Sequence, residues 1–118
     1  HAQEERSALL ARQVQVYIGA HFAEDLTVEF LADVFGLSAS HLRKIFKDRT
    51  GESLKTHLDR VRMGRARELL LATDHSVADI AAKVGYVSMQ TFNRLFKKDC
   101  GVTPGEFRRV QAMAQAGK

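Results

Sequence analysis

The chain has 118 residues, 45% of them hydrophobic and 27% charged, enough apolar content to bury a core in one domain or in two very small lobes. No run approaches the roughly 18 to 20 apolar residues that cross a bilayer, and the N-terminus lacks a basic-then-apolar signal pattern, so the expectation is a soluble, cytoplasmic protein. The single cysteine, Cys100, excludes an internal disulfide and a multi-cysteine zinc cluster, and reads as a plain small residue near a helix end.

The formal net charge of +4 is unevenly spread. Residues 1–38 hold two basic and six acidic groups, residues 39–67 nine and three, and residues 68–118 seven and five. The middle is therefore a basic belt. Because screening confines each charge to about 8 Å at physiological salt, a polyanion would feel this belt more than the whole-chain charge.

Good helix formers dominate, Pro104 is the single proline, and no alternating β-branched run persists, so the expected fold is all-α with seven helices. The first helix is predicted over about Ser7–Ala20, with Leu10, Val14, Tyr17 and Ile18 at helical spacing and His1–Arg6 frayed. Asp25 and Thr27 offer caps for a second helix, Val28–Phe35, whose apolar face is Val28, Leu31, Ala32 and Phe35. A third, Ala39–Arg49, buries Leu42, Ile45 and Phe46 and stops before Gly51. A long helix over about Ser53–Ala72 turns Leu54, Leu58, Val61, Ala66, Leu69 and Leu70 toward a core. Arg62 interrupts that stripe, so it is expected to be partly buried and paired to a carboxylate or to carbonyls. A fifth helix, Val77–Val84, opens on Ser76 and Asp79 at capping-box spacing, and a sixth covers Met89–Asp99. Thr103-Pro104-Gly105-Glu106 combines a hydroxyl cap, proline at the first helical position and glutamate at the third, and starts a seventh helix that runs to near Met113. The residues from Ala114 on are expected to fray.

Two stretches about fifty residues apart carry the same pattern. The first runs Leu31-Ala32, Gly36-Leu37-Ser38, Leu42, Ile45-Phe46-Lys47 and Gly51. The second runs Ile80-Ala81, Gly85-Tyr86, Ser88, Phe92, Leu95-Phe96-Lys97 and Gly101, with Val87 as one extra residue in its turn. Ala32 and Ala81 let two helices cross closely, and Gly36 and Gly85 can take the positive φ that turns the chain between them, which is what a helix-turn-helix requires. Two such units suggest two DNA-reading helices. The division is a first helix-turn-helix subdomain over 7–52, a linker helix over 53–72 and a second subdomain over 73–113.

Positions the core does not claim are the candidate readers. On the third helix these are Ala39, Ser40, Arg43, Lys44 and Lys47, where Arg43 can fork onto guanine and Lys44 can reach a base or a phosphate. On the sixth they are Met89, Gln90, Thr91, Asn93, Arg94 and Lys97. Gln90 and Asn93 carry the amide pair that matches adenine, Arg94 suits guanine or phosphate, and Met89 or Thr91 suits a thymine methyl.

With these residues in view the chain resembles the DNA-binding domain of the AraC/XylS family of bacterial transcription regulators over about Val14–Arg109. The match is densest in Ile80-Ala81-Ala82-Lys83-Val84-Gly85-Tyr86, Ser88, Phe92, Arg94, Phe96-Lys97-Lys98, Gly101, Thr103-Pro104 and Phe107-Arg108. The linker matches through Leu58, Arg62, Ala66, Leu69 and Leu70. The resemblance implies two helix-turn-helix subdomains joined by a long helix, each placing its second helix in a major groove. About twenty helical residues span roughly 30 Å, close to the roughly 34 Å between successive major grooves on one DNA face, so an asymmetric site of roughly twenty base pairs is expected.

Matched residue by residue, the resemblance puts base contacts on Ser40, Arg43 and Lys44 and on Met89, Gln90, Thr91, Asn93 and Arg94. It leaves Lys47, Lys97 and the backbone amides after Ser38 and Ser88 to phosphates. It departs at Val87, where relatives often carry a polar residue, and at Ser40, where some carry a bulky one. It also favours a structural role for Arg62 and activation through RNA polymerase, although repressors share the fold. Lacking an initiator methionine, the chain is expected to be the C-terminal part of a longer regulator whose sensor or dimerisation domain is missing, the alternative being a small one-domain family member of similar size.

Two other classes stand against this reading. Catalysis is not expected, because His1, His21, His41, His57 and His75 show no metal-binding spacing, and no nucleophile elbow or Gly-rich phosphate loop occurs, so neither metal nor cofactor is expected. The alternative is a helical protein-interaction module whose basic belt docks an acidic partner; a preference for particular duplex sequences would separate the two.

Overall fold

The computed structural model describes residues 1–116, which form helices and connecting turns without a strand. The helices are α1 (Ala2–His21), α2 (Val28–Phe35), α3 (Ala39–Thr50), α4 (Leu54–Ala72), α5 (Val77–Lys83), α6 (Met89–Cys100) and α7 (Pro104–Ala116). The chain divides into two compact units, His1–Val61 and Arg62–Lys118, with the boundary inside α4.

In the first unit α1 buries Ala11, Val14 and Ile18 along one stripe. Val14 and Ile18 pack with Leu26, Leu31, Ala32, Leu42, Phe46 and Leu54 into a single core, bordered by half-buried Tyr17, Val28, Phe35, Leu37, Leu58 and Val61. Helix α1 is longer at its start than the sequence predicts. Ala2–Arg6 contain no helix breaker, Glu4 and Glu5 stand in the first turn where the helix dipole favours acids, and the Glu5 amide donates to the His1 carbonyl. Of the two cap candidates before α2, Thr27 takes the role, its hydroxyl accepting from the Phe30 amide at 3.0 Å.

The second unit buries Met63, Ala66 and Leu70 of α4 together with Ile80, Ala81, Val84, Phe92, Phe96 and Pro104. Phe96 stands near the Phe92 ring at 5.9 Å and edge-on to Phe107 at 5.6 Å, tying α6 to α7. The cap expected from Thr103 forms in both directions: its hydroxyl accepts from the Glu106 amide at 3.2 Å and donates to the Glu106 carboxylate at 3.0 Å. From α7 the Arg108 guanidinium donates to the carbonyls of Leu70 and Thr73, both at 3.1 Å, and so closes the C-terminal end of α4. Helix α7 continues through Ala116, past the predicted end near Met113. The last two residues of the segment expected to fray lie outside the described ones.

On α4, Leu54, Ala66 and Leu70 are buried as the stripe predicts, while Leu58, Val61 and Leu69 are only half-buried. Two buried residues escape the stripe. Met63 fills a core position of the second unit, and His57 turns edge-on to Phe46 with ring centroids 5.4 Å apart. The His57 Nδ1 stands 2.9 Å from the Glu52 carboxylate, which also receives Arg60 at 2.7 Å. Hydrogen bonding from Arg60, then from His57, holds the Glu52 carboxyl below its ordinary range.

Candidate nucleic-acid interface

Both turns are built by the same hydrogen bonds. After α2 the Leu37 amide reaches back to the Ala32 carbonyl at 2.9 Å and the Gly36 amide to Asp33 at 3.3 Å. After α5 the Tyr86 amide reaches Ala81 at 2.9 Å and the Gly85 amide reaches Ala82 at 3.1 Å. This paired closure needs a left-handed residue just past the helix, and Gly36 (φ +70°) and Gly85 (φ +104°) supply it. Ala32 and Ala81 are each buried, at 2% exposure.

A serine then opens each second helix: Ser38 accepts from the His41 amide at 3.1 Å and Ser88 from the Thr91 amide at 3.2 Å. Neither α3 nor α6 has an acid in its first turn, so the positive end of each helix dipole is left uncompensated by a carboxylate. Both end at a left-handed glycine, Gly51 and Gly101.

Burial of Leu42, Ile45 and Phe46 fixes the rotation of α3 and leaves Ser40, Arg43, Lys44 and Lys47 exposed. Ala39 is a correction to the sequence reading, because it is half-buried against the core and not on the outward face; its methyl is small enough to fit under the helix start. Arg43 reaches toward Glu29 of α2 at 3.7 Å, and Lys44 pairs with Asp48 one turn on at 3.0 Å. These are exposed contacts of the kind worth about 0–1 kcal/mol, so they leave both side chains available to a stronger anion. His41 is also exposed.

On α6, Phe92 and Phe96 are buried and Leu95 is half-buried, so Leu95 contributes less to the inward face than its spacing suggests. Gln90, Asn93, Arg94 and Lys97 are exposed, Met89 is at the margin of exposure, and Thr91 is half-buried. The Ser88 oxygen serves as the helix cap, which commits one of its acceptor positions to the protein itself. Val87, the extra residue of the second turn, projects fully into solvent.

Arg62 is buried at 9% exposure, somewhat deeper than expected, and its guanidinium carbon stands 5.1 Å from the centre of the Tyr86 ring. Arg67 pairs with Asp99 and approaches Cys100 at 3.6 Å. Burial pushes the Cys100 thiol upward, away from the reactive thiolate form, in spite of the opposing pull of Arg67. Among the described residues, no group of three or more His, Cys, Asp or Glu is placed to hold a metal ion, and no helix is long and apolar enough to cross a membrane.

A model of a helix-turn-helix domain matches residues 31–110, taking in both turns and both second helices. The chain belongs to the AraC/XylS family. The matched residues make up a helix-turn-helix domain in which the turn occurs twice. It is 38% identical over 97 residues to the HTH-type transcriptional activator RhaS of Enterobacter sp. (strain 638), covering 82% of this chain and 35% of that protein. To the bifunctional transcriptional activator/DNA repair enzyme AdaA of Bacillus subtilis it is 37% identical over 99 residues, 84% of this chain and 47% of the relative. Among solved structures, the C-terminal domain of AraT, a response regulator from Geobacillus stearothermophilus, superposes with a TM-score of 0.83 at 37% identity, covering 86% of this chain and 84% of that one. The AraC/XylS domain described here thus spans between a third and a half of the length of these two curated relatives.

Proposed function

We propose that this domain binds double-stranded DNA sequence-specifically as part of a transcription regulator that activates its targets. In this reading α3 and α6 enter successive major grooves of an asymmetric site. The observation that carries it is the duplicated turn. Two units close on the same hydrogen bonds, and each leads into a helix whose buried apolar side leaves a polar, acid-free N-terminal face in solvent.

Ser40, Arg43 and Lys44 read bases from the first unit, and Met89, Gln90, Thr91, Asn93 and Arg94 from the second. Lys47, Lys97, Ser88 and the amides at the start of each second helix hold phosphates. The names of RhaS, a transcriptional activator, and AraT, a response regulator, support regulation and a cytoplasmic site of action, while that of AdaA joins transcriptional activation to DNA repair. RNA polymerase is the proposed protein partner, and a sensor or dimerisation region elsewhere in the full-length protein would account for the extra length of the relatives.

Selection of bound duplexes from a random pool at physiological salt tests this directly. The expected outcome is a bipartite, non-palindromic preference extending over roughly two helical turns. Binding that depends only on salt, with no preferred sequence, would instead favour the basic surface acting as a generic polyanion or acidic-protein dock.

A further inference from the structure

The two turns share their backbone hydrogen bonds but not what lies beneath them. A Cβ placed on Gly36 would meet nothing within 4 Å, whereas one placed on Gly85 would come within 3.0 Å of three atoms of the Arg62 guanidinium, Cζ, Nε and Nη2. Near-equal distances to three atoms of one planar group mean that the Gly85 backbone faces the flat of the guanidinium. The same group lies over the Tyr86 ring, and Tyr86 in turn stands 5.8 Å from Phe92, the first buried residue of α6. Arg62 therefore touches two consecutive residues of the turn, and through Tyr86 it leans on the residue that fixes the rotation of α6. Gln90 and Asn93 flank that residue on the exposed side. A planar, always-charged guanidinium suits this place better than an ammonium, since it can lie flat against both a glycine backbone and an aromatic face.

We infer that Arg62 is a positioning residue for the second reading helix: it sets the Gly85-Tyr86 turn, and with it the pose in which α6 meets DNA, without touching DNA itself. This rests on the proposed function, and it adds an asymmetry, because the turn at Gly36 has no such support. Replacing Arg62 should blur the part of the DNA site read by α6 and leave the part read by α3 sharp.

The test compares wild-type protein with Arg62→Met, Tyr86→Leu and a control, Leu70→Ala, which removes buried volume from the same unit about two helical turns away from Arg62. Melting temperature, amide hydrogen exchange at Tyr86 and duplex selection are measured on each. Variants should lose about tenfold in preference at the base pairs assigned to α6, the lower range of one bidentate base contact. They should change little at those assigned to α3, and the Tyr86 amide should exchange faster than in the control at equal loss of melting temperature. Tyr86→Leu retains the guanidinium and tests the second link if Arg62→Met does not fold. Folded variants with an intact α6 preference and a protected Tyr86 amide would overturn the inference while leaving the proposed function standing. Wild-type protein without any sequence preference would overturn the function, and the exchange of the Tyr86 amide would then decide the positioning role alone.

Discussion

The first and second helix-turn-helix units reach one backbone geometry by different side-chain means. On α3 two of the outward charges have partners within the unit, Arg43 toward Glu29 and Lys44 on Asp48, while Lys47 has no acid within ion-pairing distance among the described residues. Among the described residues, Arg94 and Lys97 on α6 have no acid within ion-pairing distance. The turn before α3 surrounds an open glycine, whereas the turn before α6 is seated on a buried guanidinium. The duplicated pattern thus specifies the turn, and the residues outside the pattern decide how firmly each reading helix is held and how available its charges are.

The largest expected effect bears on what the units share. Phe46 and Phe96 are both fully buried at equivalent places, so Phe46→Ala and Phe96→Ala should each cost about 3–5 kcal/mol of folding free energy, measured by denaturant unfolding. Comparable losses would confirm that the two cores are equivalent; a loss under about 1 kcal/mol in either would contradict the packing described.

The glycines sharpen the contrast. Gly36→Ala faces only the left-handed backbone penalty, about 1–2 kcal/mol. Gly85→Ala meets a steeper backbone penalty at φ +104° together with a 3.0 Å approach to the Arg62 guanidinium, so its loss in melting experiments should exceed that of Gly36→Ala. Equal losses would mean that neither the backbone angle nor the guanidinium adds a cost.

A pH effect should belong to the first unit. Because the Glu52 carboxyl is held below its unfolded-state value by Arg60 and His57, it contributes stability that is present above the unfolded value and is lost as pH falls through the folded one. The stability difference between wild type and Glu52→Gln should therefore be largest near neutral pH and shrink on acidification through the carboxylate range. A difference that is flat with pH would contradict the assignment.

The smallest effect expected is that of Lys97→Ala, which should weaken binding to all duplexes alike and lower the salt slope by about one. A change in preference at a single base pair would instead move Lys97 among the base readers.

Local signals made much of this architecture legible. Thr27, Ser38, Ser76, Ser88 and Thr103 each cap the helix that follows, and Gly36, Gly51, Gly85 and Gly101 take positive φ, because caps and left-handed turns depend on a few neighbouring residues. The outward faces of α3 and α6 followed from where the phenylalanines had to go. What escaped depends on partners distant in sequence or on polar atoms in apolar places. Arg108 anchors carbonyls more than thirty residues away, and Arg67 meets Asp99 across a similar separation. His57 is buried with its Nδ1 paired to the Glu52 carboxylate, a partner that no periodicity of apolar residues announces. Burial of Arg62 could be inferred from its place in the linker stripe, but its fit beneath Gly85 required the tertiary structure.

The most direct test of two separately reading units is binding of Arg43→Ala, Arg94→Ala and the double variant to the selected duplex and to random DNA. Each single change should cost roughly 1–3 kcal/mol on the selected duplex, relax preference at a different base pair, and add in the double variant. Equal losses on selected and random DNA, or relaxation of the same base pair by both, would contradict the account.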